Sequence, residues 1–92
     1  NMGVAYAKSK QFSKAKDYFE KFQTQHIDEG RASRNWAIYY ALKGDIEQAI
    51  VYLQQAVAKG FKSIEWLNTD DSMDTLRADN RYKALIKDLG VR

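Results

Sequence analysis

Cysteine is missing from this chain, histidine occurs once, and the five glycines stand apart at positions 3, 30, 44, 60 and 90. Without cysteine, disulfides and thiolate metal sites are excluded, so the fold has to be held by packing alone. Glycines scattered in this way cannot make a phosphate-cradling loop. No apolar run approaches the ~20 residues that span a bilayer, and no leader sequence is visible. The compartment stays open, with a cytoplasmic one favoured. The chain begins Asn1-Met2 inside a helical pattern, so the expectation is a fragment of a longer protein, in which a missing leader means little.

What is present fits one small domain. The chain has 92 residues, of which 45% are hydrophobic and 13% aromatic, enough for a core. The net charge of +3 is too modest to imply nucleic acid. Its excess lies in Lys8, Lys10, Lys14, Lys16 and Lys21, interleaved with Asp17 and Glu20 as on a solvated helix face.

The most periodic stretch runs from Asn35 to Phe61. Ala32, Trp36, Tyr39, Tyr40 and Leu42 form one helical stripe; Ile46, Ala49, Ile50, Leu53, Ala56 and Val57 form another. Gly44 fits just past the first helix, where a left-handed residue is needed. Asp45 with Gln48 three residues on reads as a capping box for the second helix, and Gly60 as its stop. Ala37, Ala41, Ala49 and Ala56 among the aromatics predict close helix packing. Upstream, residues 1–8 read as a helix and Ser9-Lys10-Gln11 as a turn. A second helix follows from about Ser13 to Gln25, with Ser13 as its N-cap. A shift of 34 residues places Gly3 on Ala37, Tyr6 on Tyr40, Phe12 on Ile46, Ala15 on Ala49 and Phe19 on Leu53. A fixed step of this length marks a helical repeat array.

These residues resemble the tetratricopeptide repeat family: a small residue and an aromatic in the first helix (Gly3 and Tyr6, Ala37 and Tyr40), then Ala and a large apolar residue in the second (Ala15 and Phe19, Ala49 and Leu53). The resemblance covers roughly residues 1–61. The chain departs from the pattern at Ser33, where an aromatic is usual, and in having no proline, Ile27 and Phe61 standing where proline often closes a repeat. Residues 63–92 do not continue the step. Leu76-Arg77 and Arg81-Tyr82 after an acidic run resemble the segment that closes many bacterial arrays of this family. A repeat cannot bury its own face, so this segment is expected to cap the last one with Trp66, Leu67, Met73, Leu76, Tyr82, Leu85 and Leu89. Asp79 would cap the final helix and Gly90 end it. The reading is therefore an all-α, α-α superhelix of one domain: repeat one at 1–29, repeat two at 30–62 and a helical cap at 63–92.

Chemistry-bearing patterns are sparse. His26 has Thr24, Asp28 and Ser33 nearby, but nothing that would activate a nucleophile, and reads as a capping or exposed histidine. Asp70, Ser72 and Asp74 have calcium-loop spacing, yet Thr75 stands where glycine is needed and Arg81 where a bidentate carboxylate is needed. Tyr6, Phe19, Trp36, Tyr40 and Tyr82 have core spacing rather than that of a stacking platform. No enzyme activity, metal, cofactor, nucleic acid or membrane partner is expected. The resemblance implies instead a concave groove binding a peptide or partner segment, lined by Val4, Lys8, Arg31, Arg34, Asn35, Ile38 and Leu42. Alternatives are a weak homodimer through the exposed N-terminal helix (Met2, Ala5, Tyr6), or a regulatory tail of a larger enzyme.

Overall fold

The structure, a computed structural model, describes residues 2–25 and 28–90. His26, read above as a capping or exposed histidine, lies outside them. The described residues are all-α, in the order α1 (Met2–Lys8), α2 (Phe12–Gln25), α3 (Glu29–Lys43), α4 (Ile46–Ala58), α5 (Ile64–Thr69), a 3-10 helix (Asp71–Leu76) and α6 (Asn80–Gly90). Two helical hairpins, α1–α2 and α3–α4, stack on each other through α1, α2 and α3.

Side-chain size explains the stacking. Ala15 and Ala49, the small residues of the two second helices, are both 0% exposed. Phe19 and Leu53 beside them are equally buried. Where alanine sits, a large neighbour can enter: Phe19 meets the Trp36 ring edge-on at 5.6 Å, and Tyr39 meets both Trp36 and Phe12 in the same way. Gly3 permits the closest approach. A Cβ there would lie 2.5 Å from the Phe19 ring and 2.7 Å from that of Tyr18, so α1 sits on α2 only without one.

The two hairpin turns are copies of one motif. In the second, Gly44 N–H donates to the Ala41 carbonyl and Asp45 N–H to that of Tyr40, with Gly44 left-handed at φ 88°. In the first, Lys10 N–H donates to Ala7 and Gln11 N–H to Tyr6, with Lys10 left-handed at φ 66°. Both are Schellman closures, and Lys10 stands 34 residues before Gly44. Gly60 closes α4 by the same pair of bonds, to Val57 and Ala56. Because the first closure ends at Gln11, α2 starts at Phe12, and the Gln11 carbonyl accepts the first helical bond from Ala15. Ser13 is therefore inside the helix and is not its cap. Asp45 does cap α4, its carboxylate accepting from Gln48 N–H at 3.2 Å. The Asp45 N–H is already given to Tyr40, so the return arm of a capping box is not used.

After Gly60 the chain turns back over α3. Ser63 caps α5 and Asp70 caps the 3-10 helix, each accepting a backbone N–H two or three residues on. Asp79 accepts from Arg81 N–H at 2.8 Å at the start of α6. Leu67, Met73, Leu76, Tyr82 and Leu89 are buried. Trp66 and Leu85 are half-buried against that core.

Candidate functional site: the α1–α3 flank and its cover

The seven residues expected to line a groove divide into three groups. Val4, Arg34 and Leu42 are half-buried, and Lys8 and Arg31 are exposed. Asn35 is 0% and Ile38 2% exposed, so neither offers a surface to a ligand; this corrects the expectation for both. The cause is the fold-back. The 3-10 helix packs against α3, which an open array would leave bare on this flank.

Lys8 ties this cover to α1. Its Nζ lies 2.9 Å from Asp71 Oδ1 and 3.8 Å from Asp70 Oδ1. The hydrogen bond to Asp71 raises the Lys8 pKa, and the same bond lowers that of Asp71. The acids of residues 70–79 therefore reach outward as well as serving their own turns. Asp74 pairs with Arg77, whereas Arg81 bridges Asp79 and Glu47 on α4.

Arg34 is the other tie. Its guanidinium lies over the rings of Trp66 at 5.3 Å and Phe61 at 5.6 Å, and one Nη donates to Asn35 Oδ1 at 3.1 Å. Burial beneath the aromatic pair, with the nearby Arg31 charge, lowers its pKa. Two donors in this cluster, Arg34 Nε and Asn35 Nδ2, are buried without a hydrogen-bond partner. An unpaired buried donor costs on the order of 1–3 kcal/mol, so the covered centre is not fully satisfied. Arg31 stands apart, held at the helix start by Asp28: Arg31 N–H donates to Asp28 Oδ1 at 2.9 Å and Nε lies 3.9 Å from Oδ2. Leu42 lies eleven residues further along α3, about 16 Å away at 1.5 Å per residue. The structure thus gathers Lys8, Arg34, Asn35 and Ile38 under or beside the cover, and leaves Arg31 and Leu42 at opposite ends.

The partners of this cluster, Phe61, Trp66, Asp70 and Asp71, were not among the expected site residues. The only sequence signal for them was an acidic run beside an exposed-helix lysine, which does not specify a pairing.

Among the described residues no group of three His, Asp or Glu could hold a metal ion. Asp70 and Ser72 spend their oxygens on each other, and Asp74 on Arg77. No described helix is long and apolar enough to cross a membrane. Two open clefts lie elsewhere. One of about 340 Å³ is lined by Asn68, Arg77, Tyr82, Lys83, Ile86 and Lys87; the other, about 240 Å³, by Tyr6, Lys14, Asp17, Tyr18 and Lys21.

Residues 1–88 match the model of a family described as a domain of unknown function, DUF6340. No curated protein and no solved structure gives a match.

Proposed function

The chain belongs to the DUF6340 family, and from that premise we propose that it is a non-catalytic, tetratricopeptide-like interaction module whose α1–α3 flank receives a peptide or partner segment. The observation that carries this reading is that the flank already holds part of its own chain, the acidic junction of α5 and the 3-10 helix: Asp70 and Asp71 lie on Lys8, and Trp66 and Phe61 on Arg34. A surface that accommodates its own chain through a lysine, an arginine and an apolar strip has the chemistry to accommodate another. Val4, Lys8, Arg31 and Leu42 supply the accessible rim. Most of the affinity would come from the few anchors at Lys8 and Arg34.

The test is to select peptides from a random library against the chain and map the bound one by amide chemical shifts. Shifts concentrated at Val4, Lys8, Arg31 and Leu42, and lost in Lys8→Glu, are the expected result. A selected peptide that perturbs only other surfaces removes the reading.

A second reading has its own observation. Met2 is 59% exposed at the outer side of α1, next to exposed Ala5 and half-buried Tyr6. A weak homodimer would cover this edge. Light scattering at two concentrations, with Tyr6→Ser dissolving any dimer while helicity is kept, separates the two readings.

A further inference from the structure

We propose that the cleft between α5 and α6 is a second, independent docking site, and that its occupant is a short acidic peptide segment carrying one apolar anchor. It does not depend on the α1–α3 reading.

The cleft is framed from one point. The Leu67 carbonyl accepts from Arg77 Nη2 at 3.2 Å and also from the Tyr82 hydroxyl, and Arg77 Nη2 donates again to the Asp70 carbonyl at 2.7 Å. These bonds fix two walls before any ligand arrives, which lowers the cost of ordering the site on binding. Arg77 Nε is buried beside them with no partner. Ile86, half-buried, gives an apolar floor, and Asn68 an amide at the rim.

The charges are placed where the helix alone would not want them. Lys83 stands in the first turn of α6, near the positive end of the helix dipole, where the one carboxylate, Asp79, is already taken by Arg81. Lys87 follows at i+4, where like charges repel. Arg81 in the same turn is neutralised by Asp79 and Glu47. Among the described residues Lys83 and Lys87 have no carboxylate partner. A cleft with an apolar floor and two uncompensated ammonium groups at its rim complements a carboxylate on either side of an apolar residue.

A membrane fits less well. Residues 63–92 carry six acidic and five basic groups, so the positive character is local to the cleft. A flat anionic bilayer needs a wider basic surface than two lysines, whereas a peptide a few residues long meets only the cleft. The volume of about 340 Å³ suits one or two side chains rather than a folded partner.

The test uses a fluorescein-labelled acetyl-Asp-Glu-Leu-Phe-Glu-Asp peptide, its Asn/Gln analogue, oleate, and phosphatidylserine vesicles. Fluorescence polarisation on the whole chain should show the acidic peptide binding with a Kd below about 1 mM. The neutral analogue and the Lys83→Gln/Lys87→Gln variant should each weaken it by about tenfold. Lys10→Gln/Lys16→Gln removes the same charge elsewhere and should leave Kd within about twofold. Circular dichroism checks that both pairs keep wild-type helicity. Four results overturn the proposal: no peptide binding; equal loss from both lysine pairs, which would mean a diffuse field; undiminished binding of the neutral analogue; or oleate or vesicles bound in a Lys83/Lys87-dependent way while the peptide is not.

Discussion

The two hairpins and the C-terminal segment are held by different forces. From Met2 to Ala58 the contacts are mainly apolar: alanines at 0–3% exposure receive Phe19, Trp36 and Tyr39, and the helix ends close by backbone hydrogen bonds. From Phe61 onward Leu67, Met73, Leu76 and Tyr82 join the same core, and polar groups tie them down. Arg77 and Tyr82 hold the Leu67 carbonyl, Arg81 holds Glu47, and Lys8 holds Asp71. Shape complementarity is insensitive to salt and pH. Ion pairs and charged hydrogen bonds are not. The hairpins should therefore form the robust part of the molecule, and the C-terminal segment the part that responds to conditions.

The largest break in that contrast comes from the apolar side. Phe19→Ala removes a ring packed on Trp36 and Tyr39 and should cost about 3–5 kcal/mol, seen as a cooperative loss of the whole fold in urea. Gly3→Ala is its mirror image. It adds a methyl 2.5 Å from the same ring and should cost about 1–3 kcal/mol, although alanine is the better helix former. The two are coupled: in a Phe19→Ala background the Gly3→Ala penalty should shrink or reverse, because the clash has gone. Additive losses would mean that α1 is not seated on Phe19.

On the polar side the effect is smaller and local. Arg77→Ala should cost about 2 kcal/mol, because the Asp70 carbonyl loses a charged donor. Amide exchange should rise in α5, the 3-10 helix and α6 while α3 and α4 stay protected. Tyr82→Phe should cost about 1 kcal/mol, since Arg77 still serves the Leu67 carbonyl. Burial pushes the Tyr82 hydroxyl up from 10.0 to about 12. Above pH 10 the unfolded chain releases this proton and the folded chain keeps it, so stability falls from pH 10 to about 12. The phenylalanine variant should lack that decline. Equal alkaline slopes in the two proteins would show that the hydroxyl is not held as described.

The difference between the regions also explains what could be read beforehand. Gly44-Asp45, Gly60 and the buried alanines are local signals, each carried by a residue and its neighbours within one hairpin, and the structure has them where the pattern placed them. The first turn was less legible because Lys10 holds the left-handed position that Gly44 holds in the second. A side chain there costs about 1 kcal/mol and leaves no compositional mark. Lys10→Gly should return roughly that amount, measured as a higher urea midpoint with an unchanged slope. The fold-back was least legible. Lys8 with Asp71, Glu47 with Arg81 and Arg34 with Trp66 pair residues far apart in sequence, and each reads on its own helix as an ordinary solvated charge. The family resemblance puts Asn35 and Ile38 on the groove side but says nothing of what covers them, and in the structure both are buried. The same holds for Lys83 and Lys87, whose lack of partners is a property of the assembled cleft.

The smallest expected effect is also the sharpest test of the contrast, because it changes no residue of either core. Arg81 lies between half-buried Asp79 and exposed Glu47, and its hydrogen bonds hold the Asp79 carboxyl at about 2, below its ordinary 3.8, and lower that of Glu47 as well. A depressed carboxylate pKa contributes stability above the unfolded value, lost as pH falls through the folded one. For Asp79 the window lies between 3.8 and about 2. Amide exchange followed across that window should show α6 loosening from α4 first, with α3 and α4 still protected, because the aromatic and alanine packing between the hairpins titrates nothing there. Salt should blunt the step, since Arg81 and Glu47 are exposed. Arg81→Gln should remove it and leave the C-terminal helix equally loose at neutral pH. If α6 and the hairpins instead lost protection together, with the same midpoint in the Arg81→Gln protein, the polar ties would be ornaments on one cooperative unit, and no separately responsive C-terminal region would exist.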